Sequence, residues 1–306
     1  MDLSVSLPGL NLKNPIIPAS GTFAYGREFA MLYDLSVLGG FVTKSVTLDA
    51  RLGNAQPRIG EAPSGMLNAI GLENKGVEFV RLREVPFLEK QNTEVIVSVA
   101  GSSPQEYGEV VSHLLGVDCI KAFELNVSCP NVANGGMAIG TDPETAAMTV
   151  RIVKEIADKP VYVKLSPNVT DIVKIAQAVE QAGADGLVLI NTLMGLRMDL
   201  RTARPLLGNV TGGLSGPAIK PIALRMVYQV AQNVNIPIIG CGGISTAEDV
   251  LEFLYAGASA VEVGTANLID PWACPKIIEE LPSVLAKYRL NSVQEAIGKA
   301  LPKTNE

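Results

Sequence analysis

Residues 126–131 read Asn-Val-Ser-Cys-Pro-Asn and begin where an apolar run, Ala122 to Leu125, gives out. A thiol just past a strand end, flanked by two carboxamides on a turn stiffened by Pro130, is a poor packing choice. It is a good way to hold one acid/base group beside a polar, uncharged ring. His113 is the only histidine of the chain and falls in a surface-helix pattern, VVSHLLG. The commonest general base is therefore excluded, and Cys, Lys or a carboxylate must carry any proton transfer.

Polar residues recur at the ends of other apolar runs. Ser20 closes the first, Lys44 and Ser45 sit in the second, Asn126 and Cys129 follow the fourth, Lys164 lies in the fifth, and Asn191-Thr192 end the sixth. A strand-end Lys or Asn by itself usually just meets solvent. Five runs aiming amides, hydroxyls and two lysines at one rim is a different matter, because a lysine inside an apolar strand is costly without an anionic or carbonyl partner. Gly240-Cys241-Gly242-Gly243 and Val263-Gly264-Thr265 close the last two runs, and Gly212 to Pro217 adds a third glycine-rich turn. Such turns bind phosphate through backbone N–H groups where glycine permits close approach.

The elements that must position these groups are short and β-branched. Eight candidate strands are Pro15–Ser20, Gly40–Thr47, Glu94–Ala100, Cys119–Val127, Val161–Ser166, Gly186–Thr192, Ile236–Gly242 and Ala260–Ala266. Most gaps carry a helical pattern. Ser245 to Glu248 reads as a capping box opening Asp249–Tyr255, which stops at Gly257. Asp171–Gln181 presents Ile172, Val173, Ala176 and Val179 on one face and ends at Gly183. Strands alternating with helices predict a parallel sheet, and eight units predict a closed (β/α)8 TIM barrel. The alternating residues around Pro8-Gly9 add a short N-terminal β-hairpin. A doubly wound sheet is the rival, disfavoured because the glycine pairs come late in the chain. No domain boundary stands out, so one domain over residues 1–306 is expected. Leu48–Asn92, Pro130–Thr141 and Leu193–Gly216 are the longer interruptions, each after a strand C-terminus; Gly135-Gly136 suits the second to act as a lid.

Composition narrows the function classes. A net charge of −6 and a pI near 5.1 argue against a nucleic-acid or anionic-membrane surface. The cysteines, at 119, 129, 241 and 274, lack metal-ligand or CxxC spacing, so no metal or iron–sulfur cluster is expected on this chain. Without a signal-peptide pattern or an apolar run of about 20 residues, a soluble, cytoplasmic protein is expected.

NVSCPN followed by VANGGMAIGTDPE resembles the active-site loop of dihydroorotate dehydrogenases, the flavin enzymes of pyrimidine synthesis. NPIIPASGTFAYGREF, TKSVT, MLNAIGLENKG, VKLSP, LINT, GLSGPAIKP, CGGI and VGTA complete the resemblance in order along nearly the whole chain. Cys at 129, rather than Ser, is similar to the soluble class 1 enzymes, and the Asn-Gly-Gly-Met run to the class 1B catalytic subunit. The resemblance implies oxidation of dihydroorotate to orotate, with Cys129 as base at C5 and hydride transfer from C6 to FMN. It implies that Ser20, Lys44, Ser45, Ser98, Asn126, Lys164, Ile190, Gly216, Gly242, Gly243, Gly264 and Thr265 line the FMN. Ser98 departs from the asparagine expected there in many relatives. Dihydroorotate would be held by Lys44, Asn68, Ala69, Ile70, Gly71, Leu72, Asn126, Asn131, Asn191 and Thr192. FAD and a [2Fe–2S] cluster would sit on a separate electron-transfer subunit that passes electrons to NAD+, in a heterotetramer built on a dimer of this chain.

Three other readings stay open at this level. One is the same reaction with fumarate as acceptor, as in class 1A homodimers. The others are a Schiff-base barrel lyase using Lys164 or Lys44, and a flavin-binding scaffold without turnover.

Overall fold

A computed structural model of the chain describes residues 1–127 and 139–302. Its chain opens with an antiparallel hairpin, β1 (Val5–Leu7) and β2 (Leu10–Leu12), with alternate residues buried. The hairpin lies across one pole of the molecule, where the Tyr162 hydroxyl donates to the Pro8 carbonyl at 2.8 Å.

Eight parallel strands follow among the described residues. They are β3 (Ile16–Pro18), β4 (Gly40–Val42), β7 (Glu94–Val99), β8 (Ile120–Asn126), β9 (Val161–Leu165), β10 (Gly186–Leu189), β15 (Ile238–Cys241) and β16 (Ala260–Val263). From β4 onward each pairs with the next in that order, and β16 pairs with β3, which leaves β3 and β4 as the two edges. The seam between β3 and β4 is narrow: the Gly39 N–H donates to the Ile16 carbonyl at 3.2 Å. The result is the (β/α)8 barrel that the strand–helix alternation predicts. Its strands read as continuous apolar runs because helices cover the outside while other strands face them inside, leaving neither face to water. Five consecutive residues of β9 are buried.

The main outer helices begin where short polar side chains cap them. Ser103, Asp142, Asp171 and Thr246 each accept a backbone N–H from the first turn of the helix they precede. Two expectations shift. The capping box pairs Thr246 with Asp249, not Ser245 with Glu248, and the helix spans Ala247–Tyr255. Asp249 is drawn to that place because its carboxylate also accepts from Lys220 at 2.6 Å and from the Ser245 N–H at 2.8 Å. On Ile172–Gln181 the buried face includes Ile175, while Val173 is only half-buried.

Strand ends depart further from expectation. β4 stops as a ladder at Val42; Thr43 then bonds to Ile96 and Val46 to Ser98, so an extra residue bulges from the edge. The bulge turns the Lys44 N–H toward the Ala24 carbonyl, at 2.8 Å. Past β16, Thr265 and Ala266 are helical rather than extended, in the short helix Thr265–Ile269.

The interruptions after the second and sixth barrel strands meet. β5 (Ile59–Ala62) and β6 (Gly65–Asn68) from the first join β11 (Leu193–Gly195) and β14 (Gly212–Ser215) from the other in one antiparallel sheet of order β11-β14-β6-β5. The second interruption, Pro130–Thr141 with Gly135 and Gly136, lies for the most part outside the described residues. No described helix is long and apolar enough to cross a membrane.

Candidate active site

A cavity of about 300 Å³ opens at the C-terminal mouth of the barrel, roofed on one side by the four-stranded sheet. This is the face on which barrel enzymes place their chemistry, because loops there can vary without disturbing the strands. Ser20 enters after β3, Lys44 and Ser45 from the bulge after β4, Asn126 from the end of β8, and Lys164 from the interior of β9. Ile190, Asn191 and Thr192 follow β10, and Asn68 to Leu72 descend from β6. Gly216, Gly242, Gly243, Gly264 and Thr265 line the remaining wall. Cys129 and Asn131 lie outside the described residues. Ser98 does not line the cavity: it is fully buried, one layer behind Ser45.

A hydrogen-bonded chain fixes the polar wall. The Asn191 amide donates to Asn126 Oδ1 at 3.1 Å, and the Asn126 amide donates to Ser45 Oγ at 3.3 Å. Ser45 Oγ in turn lies 3.2 Å from Ser20 Oγ and 2.8 Å from Ser98 Oγ. The Asn126 carbonyl accepts from the Tyr107 hydroxyl at 2.8 Å, so the strand end is tied to an outer helix. Carboxamides offer a donor and an acceptor each, which suits them to the alternating C=O and N–H edge of a pyrimidine.

The glycine turns form a different wall. The N–H groups of Gly242, Gly243 and Gly264 have no acceptor among the described residues. Gly243 sits at φ +77°, and a Cβ there would lie 2.8 Å from the Gly216 carbonyl oxygen. A side chain there would collide with the backbone of Gly216 and Lys220, so this turn requires glycine. Bare donors beside open space fit a phosphate, which needs several N–H groups and no bulk. Among the described residues, the donor set fits a phosphate-bearing flavin.

At the cavity floor, Lys164 is buried. Burial alone would lower its pKa, but Glu124 and Glu262 outweigh it and raise the pKa, keeping the ammonium charged. Its Nζ is hydrogen-bonded to Glu262 Oε2 and lies 3.8 Å from Glu124 Oε1. Neither glutamate stood out in the sequence, since each interrupts a strand that otherwise reads as apolar. The signal was present: a charge at the centre of Phe123-Glu124-Leu125 or Val261-Glu262-Val263 must have a partner once both strands are buried. Asn168, just past VKLSP, was missed as well. Its amide donates to the Thr192 carbonyl at 3.0 Å and it reaches the cavity. His113 does not line the cavity; it is half exposed and bonded to Glu78 at 2.8 Å.

A sequence profile of the family described as "Dihydroorotate dehydrogenase" matches residues 2–285. The chain belongs to the dihydroorotate dehydrogenase family. It is 60% identical over 298 residues to a protein of Bacillus pumilus, covering 97% of this chain and 96% of that one. The Anoxybacillus flavithermus relative is 59% identical over 298 residues, with the same two coverages. One from Bacillus mycoides is 59% identical over 302 residues, 99% of this chain and 98% of its own. All three carry the name "Dihydroorotate dehydrogenase B (NAD(+)), catalytic subunit". Family membership makes the chain an oxidoreductase of the flavin-dependent type, acting on dihydroorotate. The Schiff-base lyase and the inert scaffold are thereby set aside.

Proposed function

We propose that this chain is the catalytic subunit of an NAD+-linked dihydroorotate dehydrogenase, working as one FMN-binding barrel domain. The observation that carries the reading is the convergence of Lys44, Asn126, Lys164, Asn191 and the glycine turns on one cavity in a chain of this family. The N–H groups of Gly242, Gly243 and Gly264, with Gly216 and Thr265 beside them, would hold the FMN phosphate. Ser20, Ser45 and Ile190 flank the ring, and Ser98 acts through Ser45. Dihydroorotate is held by Asn68 to Leu72 from the rim sheet and by Lys44, Asn126, Asn131, Asn191 and Thr192.

Bound there, FMN supplies the two-electron acceptor for the C6 hydride. Cys129 takes the C5 proton. An ordinary thiol titrates near pH ~8.5, so Cys129 works best when neighbouring donors favour its thiolate. Asn126 and Asn191 orient the pyrimidine edge, and Lys44 and Lys164 offset the negative charge that develops in the cavity.

The names of the relatives support a partner. The words "catalytic subunit" and "NAD(+)" in those names support a second subunit for electron transfer; on our reading that subunit carries FAD and a [2Fe–2S] cluster, in a heterotetramer built on a dimer of this chain. The four cysteines of this chain are too dispersed to hold that cluster as a local motif.

Purified single-chain protein tests the whole reading. With dihydroorotate it should reduce an artificial dye but not NAD+, and Cys129→Ala should keep its FMN while losing roughly 10²–10⁴-fold in rate. A wild-type rate for Cys129→Ala at pH 7 would remove the base assignment. Efficient NAD+ reduction by the chain alone would remove the partner, and rapid reoxidation by fumarate would favour the class 1A alternative.

A further inference from the structure

Beneath the cavity floor, three consecutive strands and a second adjacent pair set an ionisable cluster inside the barrel. Glu124 comes from β8, Lys164 from β9, Cys241 from β15 and Glu262 from β16; Ser98 on β7 pairs in register with Glu124. Glu124, Glu262 and Ser98 are fully buried, and Lys164 and Cys241 nearly so. These are the titratable groups that face one another there.

Their charges do not balance as drawn. One ammonium faces two carboxylates, and full ionisation would leave a net negative charge in the core. Hydrogen bonding is also incomplete: both oxygens of Glu124 and Oε1 of Glu262 are buried without a donor among the described residues. Two carboxylates cannot donate to each other, but a carboxylic acid can donate to a carboxylate. A single proton therefore reduces the cluster to one cation and one anion and satisfies two of the three orphan oxygens, one on Glu124 as donor and Oε1 of Glu262 as acceptor.

We propose that Glu124 is a neutral acid that donates its proton to the Glu262 carboxylate, and that this pair is the positioning element that holds the Lys164 ammonium beneath the flavin. The direction of the titrations agrees. Burial and the proximity of Glu262 hold Glu124 well above the ordinary carboxylate range, against the opposing pull of Lys164. Burial pushes the Cys241 thiol up to about 12, so it carries no charge near neutrality. Glu262 is the carboxylate bonded directly to Lys164. An electrically neutral cluster lets Lys164 offset negative charge that arrives above it, where a net anionic cluster would oppose it. This role rests on the flavin reading given above; the shared proton does not.

Two measurements on the full chain separate these claims. Infrared spectra of flavin-stripped and flavin-loaded protein at pH 7 should both show the carbonyl stretch of a protonated carboxylic acid, lost in Glu124→Gln. The midpoint potential of the bound flavin should be unchanged in Glu124→Gln, whose amide copies the donated hydrogen bond and leaves the charge as it was. It should shift positive in the double variant Glu124→Gln/Glu262→Gln, which leaves Lys164 uncompensated. A positive shift in Glu124→Gln alone, or no acid band in the wild type, overturns the shared proton. An unshifted potential in the double variant overturns the role beneath the flavin. If the double variant does not fold, the single variant and the infrared band still decide the protonation. A chain that binds no flavin but shows the band would sink the flavin reading and spare the proton.

Discussion

In the barrel, all five residues of β9 (Val161–Leu165) are buried; in the sheet on its rim, β5 (Ile59–Ala62) buries only Gly60. The two regions share a wall of the same cavity and are held by different means. Barrel strands are fixed by apolar packing on both faces, so a polar group inside them must find a partner in the core. Lys164 does so through Glu124 and Glu262. Rim strands are fixed by ladder hydrogen bonds and by glycines that let chains approach, as β14 does between β11 and β6. Damage to the barrel should therefore appear in stability and in the flavin, and damage to the rim in the affinity for substrate.

Lys164→Met should break the comparison on the barrel side most severely. It strands Glu262 in the core without its cation, and removing one member of a buried pair costs about 3–5 kcal/mol. Chemical denaturation at pH 7 measures this. The loss should shrink as the pH is lowered and the carboxylate can take up a proton instead.

Gly213→Ala probes the rim. A Cβ at 213 would lie 2.0 Å from Thr192 Oγ1 and 2.6 Å from its Cβ, so a new rotamer is not enough and Thr192 itself must shift in the cavity wall. The KM for dihydroorotate should rise about tenfold, equivalent to about 1.4 kcal/mol, with flavin content unchanged. A matching loss of flavin would show that rim and barrel are not separable.

Asp249→Ala acts outside both walls, on the cap of Ala247–Tyr255, and should cost about 1 kcal/mol. Partial burial would raise the Asp249 pKa, but Lys220 and the Ser245 donors override it and hold it below the ordinary 3.8. A depressed folded-state pKa gives stability that is present above the unfolded value and is lost as the pH falls through the folded one. The gap in thermal stability between wild type and Asp249→Ala should thus be full at pH 7 and narrow below pH 3.8.

His113→Gln should have the smallest effect. With its ring half exposed at the C-terminal end of Pro104–Ser112, it should leave turnover within about twofold and the pH–rate profile unchanged. A lost limb in that profile would place a histidine in the proton path.

Much of this architecture was written in local sequence. Continuous runs such as Val161–Leu165 announce strands buried on both faces, and capping residues such as Asp171 mark where helices begin, because those preferences act over a few residues. Polar residues at the ends of those runs fall at the barrel mouth for the same reason: the ends of parallel strands share one face. Local pattern could not decide where strands stop. The bulge at Lys44 and the helical turn at Thr265 depend on partners elsewhere in the chain, Ala24 and Ser215 among them. The rim sheet was hidden because β6 and β14 are glycine-rich, half-exposed and far apart in sequence, and neither is persuasive without the other. The same holds for Glu124 and Glu262. A lone carboxylate in a strand looks like a residue bound for solvent, and only closure of the barrel sets the two beside each other and beside Lys164, where one charge too many demands a proton.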